Sequence, residues 1–96
     1  MSGIEVQNII ITYLKDYNPV KVAIFGSFAR DENTPSSDID ILVQFRQTYS
    51  LLQLINIENT LSEKLGIKVD LVTEGAIKND RIKKSIQKDL QIIYQA

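Results

Sequence analysis

Residues 24–43 read IFGSFARDENTPSSDIDILV, and this stretch leaves the chain little freedom. An apolar run, VKVAIF at 20–25, stops at Gly26-Ser27. A polar segment follows, and Ser37-Asp38-Ile39-Asp40 opens a second apolar run. That order predicts two strands joined by an exposed loop, because glycine and serine break the first run and DENTPSS at 31–37 is dense in turn formers. In the second strand, residues 38–45, Ile39, Ile41, Val43 and Phe45 share one face while Asp38, Asp40, Leu42 and Gln44 share the other. One face is therefore fit for a core, and the opposite face carries two carboxylates side by side.

The remaining segments supply partners for these strands. Over residues 2–17, Val6, Ile9, Ile10, Tyr13, Leu14 and Tyr17 recur at spacings of three and four, which predicts a helix with one apolar face. Asn18-Pro19 ends it, since proline disfavours helical geometry in the preceding residue. Residues 28–30 form at most a short helix that Ser27 can cap. After a loop at 46–49, Ser50 and Gln53 have the form of a capping box. The helix that follows carries Leu51, Leu54, Ile55, Glu58, Leu61 and Leu65 on one stripe and stops at Gly66. IKVDLV at 67–72 predicts a third strand, and residues 73–78 turn away from it. Asn79 or Asp80 then caps a last helix with Ile82, Ile86 and Leu90 facing inwards. Residues 90–94 fit either a final helical turn or an added strand. The expected class is α/β (α+β): a small mixed sheet of three to four strands with helices packed on one side. At 96 residues a single domain over 1–96 is expected.

Composition removes several chemistries. The chain has no cysteine, which excludes disulfides, thiolate zinc sites and cysteine nucleophiles. It has no histidine, the commonest general base and transition-metal ligand. Any metal must be held by oxygen, which favours a hard cation such as Mg²⁺ or Mn²⁺. Eleven basic residues against 12 acidic ones give a net charge of −1, so no direct nucleic-acid binding is expected. Neither a signal peptide nor a membrane span is evident, and a cytoplasmic location is the default expectation.

Two aspartates at i and i+2 of a strand repel unless a cation neutralises them. Alone, such a pair is as often a solvated strand end. Asp70, between Val69 and Leu71 of the third strand, adds a third carboxylate if the two strands are neighbours. A lone strand aspartate would more simply pair with Lys68 or a helix lysine. Three on one face can instead hold two cations roughly 3.5–4 Å apart, the arrangement of two-metal phosphoryl-transfer sites. At the other end of the loop, Gly26 lets backbone approach a ligand and the N–H groups after it suit an anion. Ser27 adds a hydroxyl, and Arg30 a fixed cationic fork, though Asp31 or Glu32 could also take it.

Gly26-Ser27-Phe28-Ala29-Arg30 followed by Ser37-Asp38-Ile39-Asp40-Ile41-Leu42-Val43, with Val69-Asp70-Leu71-Val72 downstream, resembles the signature of the minimal nucleotidyltransferases (MNT) of the DNA polymerase β-like superfamily. The resemblance covers almost the whole chain and implies the nucleotidyltransferase fold. It implies that Asp38 and Asp40 bind two Mg²⁺ ions, that Asp70 shares one and helps activate an acceptor hydroxyl, and that Gly26, Ser27, Arg30 and Ser37 bind the nucleotide. It further implies a protein adenylyltransferase of the antitoxin type, moving AMP from ATP to a tyrosine of a cognate HEPN-family RNase toxin. The partner would help to enclose the nucleotide. The alternatives are an antitoxin that neutralises by binding alone, or transfer to a small-molecule hydroxyl. Tyr13, Tyr17, Tyr49 and Tyr94 are candidates for partner contacts, at least two of them more simply read as core or half-buried residues.

Overall fold

In a computed structural model, residues 3–26, 28–29, 38–76 and 80–96 are described. Helix α1 spans Gly3–Leu14 and continues as a 3-10 turn over Lys15–Tyr17. Val6, Ile10 and Leu14 are buried, with Ile9, Tyr13 and Tyr17 packed beside them, so the face expected from the spacing is the face used. Asn18 closes the turn in the left-handed region at φ 54°, which asparagine tolerates better than most residues. Strand β1 follows over Pro19–Phe25 and β2 over Ile39–Phe45. Pro19 occupies the first position of its strand, where a missing N–H does least harm.

Helix α2, Leu51–Leu65, starts in the expected capping box. Gln53 N–H donates to Ser50 Oγ at 3.2 Å, and Ser50 N–H donates to Gln53 Oε1 at 2.9 Å. Gly66 ends the helix at φ 68°. The buried stripe differs from the expected one. Ile57, Leu61 and Leu65 are buried, whereas Leu51 and Ile55 are 75% and 42% exposed. At 3.6 residues per turn, Ile57 lies about 40° around the axis from Leu61, Leu51 about 80° and Ile55 about 120°. The sheet covers the arc centred on Leu61, which takes in Ile57 and leaves Ile55 out.

Strand β3 is Val69–Thr73, followed by a 3-10 turn at Glu74–Ala76, helix α3 at Asp80–Asp89 and strand β4 at Gln91–Gln95. Ile86 and Leu90 are half-buried. The caps proposed at Asn79 and Asp80, and the inward side chain of Ile82, lie outside the described residues and side chains. Residues 91–95 settle as a strand because Ile92, Ile93 and Tyr94 favour extended backbone and β1 offers them an edge.

The four strands lie in the order β3-β2-β1-β4. β1 pairs antiparallel with both β2 and β4, and β2 pairs parallel with β3, making the expected mixed sheet. A parallel pair needs a crossover, and α2 provides it. Val22, Ile24, Ile39, Ile41, Val43 and Val69 form one sheet face, against which the buried residues of α1 and α2 pack. The four tyrosines have supporting places. Tyr13, Tyr17 and Tyr94 lie against the core, and Tyr49 donates from its hydroxyl to Tyr17 C=O at 2.9 Å. Among the described residues no helix is long and apolar enough to cross a membrane.

Candidate active site

Strand register decides where the carboxylates go. Asp40 is paired with Phe25 of β1 on one side and with Asp70 of β3 on the other. Paired residues project to the same face, as do residues two apart along a strand. Asp40 and Asp70 therefore share the face opposite the α1–α2 core, and Asp38, one residue before β2, lies near enough for its charge to act on Asp40. The local reason is visible in the sequence: Ile39, Ile41, Val69 and Leu71 claim the core side, so the aspartates between them must turn away.

Asp40 is half-buried, while Asp38 and Asp70 are exposed. Burial raises the Asp40 carboxyl above its ordinary range, and the charges of Asp70 and then Asp38 raise it further. No described lysine or arginine makes an ion pair with any of the three. The pairing of Asp70 with Lys68, the simpler reading of that residue, is thus not formed. Among the described residues no cation compensates the cluster's negative charge, and its donors are all hard oxygens, which fits a hard divalent cation. The fit is chemical only. Among the described residues no group of three acidic side chains is drawn together closely enough to form a ready-made ion cage. Like-charge repulsion opposes such convergence.

Gly26 closes the other side of the site. It follows β1 at φ 76°, and its C=O accepts from Ala29 N–H at 3.1 Å, so the chain turns at once. A Cβ placed on Gly26 would run into Oδ2 of Asp40. The glycine is needed for its backbone angle and also because the Asp40 carboxylate takes the space a side chain would fill. Sequence spacing does not disclose this contact, since it depends on the Phe25–Asp40 register. Ser27, Arg30 and Ser37, the other expected nucleotide-binding residues, lie outside the described residues.

A cleft of about 710 Å³ opens at the opposite end of β2 and β3, lined in part by Gln44, Phe45, Tyr49, Leu54, Thr73 and Glu74. Its lining brings no group of acids together, and two residues of strand separate it from Asp40 in β2 and from Asp70 in β3. The donor chemistry, rather than cavity size, marks the aspartate face as the candidate site.

The sequence model of the nucleotidyltransferase domain matches residues 8–93. The chain belongs to the nucleotidyltransferase domain family. This nucleotidyltransferase is 59% identical over 78 residues, 80% of either chain, to a Methanocaldococcus jannaschii protein provisionally named a protein adenylyltransferase. It is 35% identical over 79 residues to protein adenylyltransferase MntA of Thermococcus cleftensis, covering 78% of this chain and 80% of that one. Among solved structures, its fold is similar to a chain of a toxin–antitoxin crystal structure with AMP-PNP, at TM-score 0.84 and 23% identity over 94% of this chain and 73% of that one. It is also similar to a chain of a complex between a tri-AMPylated Shewanella oneidensis HEPN toxin and an MNT antitoxin. There the TM-score is 0.80 and the identity 21%, over 99% and 74% of the two chains. The expected nucleotidyltransferase fold is the fold observed.

Proposed function

We propose that this nucleotidyltransferase moves AMP from ATP to a hydroxyl, that of a tyrosine, on a cognate HEPN-family toxin, and silences the toxin by doing so. The observation that carries the reading is the Asp40–Asp70 register, with Asp38 close by and Gly26 abutting the Asp40 carboxylate. The names of the relatives support the reaction class, and the HEPN–MNT complex supports the class of partner.

In this reading the acceptor oxygen forms a bond to the α-phosphorus of ATP. The bond from that phosphorus to the α–β bridging oxygen breaks, and pyrophosphate leaves. Asp38, Asp40 and Asp70 would hold the divalent cations, two Mg²⁺ ions, with Mn²⁺ as a substitute. When bound, such ions neutralise phosphate charge and lower the pKa of an attacking hydroxyl. Asp70 is exposed and lies at the edge of the carboxylate row, where the acceptor hydroxyl can donate a hydrogen bond to it. Gly26 keeps the turn after β1 bare and close to Asp40, so the polyphosphate can lie against backbone rather than a side chain. Ser27, Arg30 and Ser37 would bind the polyphosphate oxygens. The toxin would cover the site's open side and keep water from competing with the acceptor.

The test is isotopic. The chain is incubated with its HEPN partner, Mg²⁺, and ATP labelled at the α- or the γ-phosphate. The partner should retain α-label, not γ-label, as pyrophosphate is released. Neutralised toxin without α-label would favour inhibition by binding alone.

A further inference from the structure

Strand β3 is an edge strand, yet α2 holds the backbone on both sides of Asp70. Val69 N–H donates to Ser62 Oγ at 2.9 Å, and that hydroxyl donates to Glu58 C=O at 2.9 Å. Leu71 N–H donates to Glu58 Oε2 at 2.8 Å. On the inner side, Ile39 N–H donates to Lys68 C=O at 2.9 Å. The peptide joining Lys68 to Val69 is thus gripped at both ends, by β2 through its carbonyl and by α2 through its N–H. A trans peptide points its C=O and N–H in opposite directions. The peptide leaving Asp70 is oriented in the same way, with its N–H on Glu58 and its carbonyl turned towards β2.

This accounts for an oddity of α2. Glu58 is a half-buried carboxylate about 60° around the axis from Leu61, at the margin of the buried arc. An apolar residue there would cover β3 equally well but would leave Leu71 N–H without its acceptor. A hydrogen bond to an ionised acceptor is about twice as strong as a neutral one. It is made one residue beyond Asp70, where a rotated peptide would swing the aspartate out of line with Asp40.

We propose that Glu58 and Ser62 are positioning residues that fix the third carboxylate, Asp70, against Asp38 and Asp40. This rests on the reading of Asp70 as a member of the active site. The outer partners of metal-site ligands typically govern affinity or activity by about 10- to 100-fold, and the clamp should do likewise.

The full chain with its HEPN partner tests it by AMP transfer. The chain alone tests it by titration with Mn²⁺ followed by electron paramagnetic resonance, and by amide hydrogen exchange at Val69 and Leu71. Glu58→Ala should speed exchange at Leu71, weaken Mn²⁺ binding and slow transfer, the last two by about 10- to 100-fold. Glu58→Gln keeps an acceptor oxygen and should recover most of all three. Ser62→Ala probes the same clamp at Val69 and serves if Glu58→Ala does not fold. Asp70→Asn separates the two claims. If it abolishes transfer and weakens Mn²⁺ binding while Glu58→Ala and Ser62→Ala change neither, the clamp proposal is overturned and the site stands. If Asp70→Asn is itself harmless, the reading of Asp70 falls, and the clamp's role with it.

Discussion

Replacing Gly26 with alanine should damage the candidate active site, and the structure supplies its own control. Gly26 and Gly66 both have left-handed backbone, at φ 76° and 68°. A Cβ on Gly66 meets nothing within 4 Å, whereas one on Gly26 collides with the Asp40 carboxylate. Holding an L residue in this region costs about 1–2 kcal/mol, and both variants bear that cost. Gly26→Ala must also drive Asp40 from its place, at about 0.5–1.5 kcal/mol if the side chain leaves its preferred rotamer. The two effects together come to about 1.5–3.5 kcal/mol. For a domain of this size that lowers Tm by roughly 6–28 °C, against roughly 4–16 °C for Gly66→Ala. The assay pairs thermal melting by circular dichroism with AMP transfer at a temperature where both variants are folded. Displacing a catalytic group by about 1 Å can cost on the order of a hundredfold in rate, and that loss is expected for Gly26→Ala. Gly66→Ala should transfer AMP almost as the unsubstituted chain does. If the two variants melt and transfer alike, the close approach of Gly26 to Asp40 has no functional meaning.

Further outcomes concern charge, capping and core. In metal-free buffer Asp40→Asn should raise Tm near neutral pH. Folding holds the Asp40 carboxyl above its ordinary value of 3.8, so the folded chain binds more protons between that value and the raised one. Stability falls as pH rises through this window, and the advantage of Asp40→Asn should fade on acidification below it, in melts across the pH range. Ser50→Ala removes half of the capping box and should cost about 1 kcal/mol in denaturant melts, with transfer unchanged. Leu61→Ala empties a fully buried position between α2 and the sheet and should cost about 2–5 kcal/mol by the same measure.

Much of this arrangement is legible in the residues because period and punctuation agree. The alternation of Ile39, Ile41 and Val43 with Asp38, Asp40 and Leu42 sets the orientation of β2 before any fold is known. Ser50, Gln53 and Gly66 mark the two ends of α2. Less legible is whatever depends on one element meeting another. Leu51, Leu54, Ile55 and Leu61 offer a plausible stripe, but the sheet decides which arc is covered, and Ile57 displaces Ile55. Residues 90–94 carry too short a pattern to choose between helix and strand until β1 presents an open edge. In the site, the nearness of Asp38 and Asp40 follows from their spacing, whereas the Asp40–Asp70 register and the Gly26–Asp40 contact depend on strand pairing. Glu58 gave the one visible hint of the clamp, a charge in an apolar stripe, and its partner Leu71 N–H is a backbone group that no side-chain pattern reports.

AMP transfer by this chain should depend on the paired aspartates. Its most direct test is the intact mass of the HEPN partner after incubation with ATP, Mg²⁺ and either the unsubstituted chain or Asp38→Asn. Added AMP mass is expected with the former and none with the latter. A toxin neutralised without added mass, or modified equally well by Asp38→Asn, would contradict it.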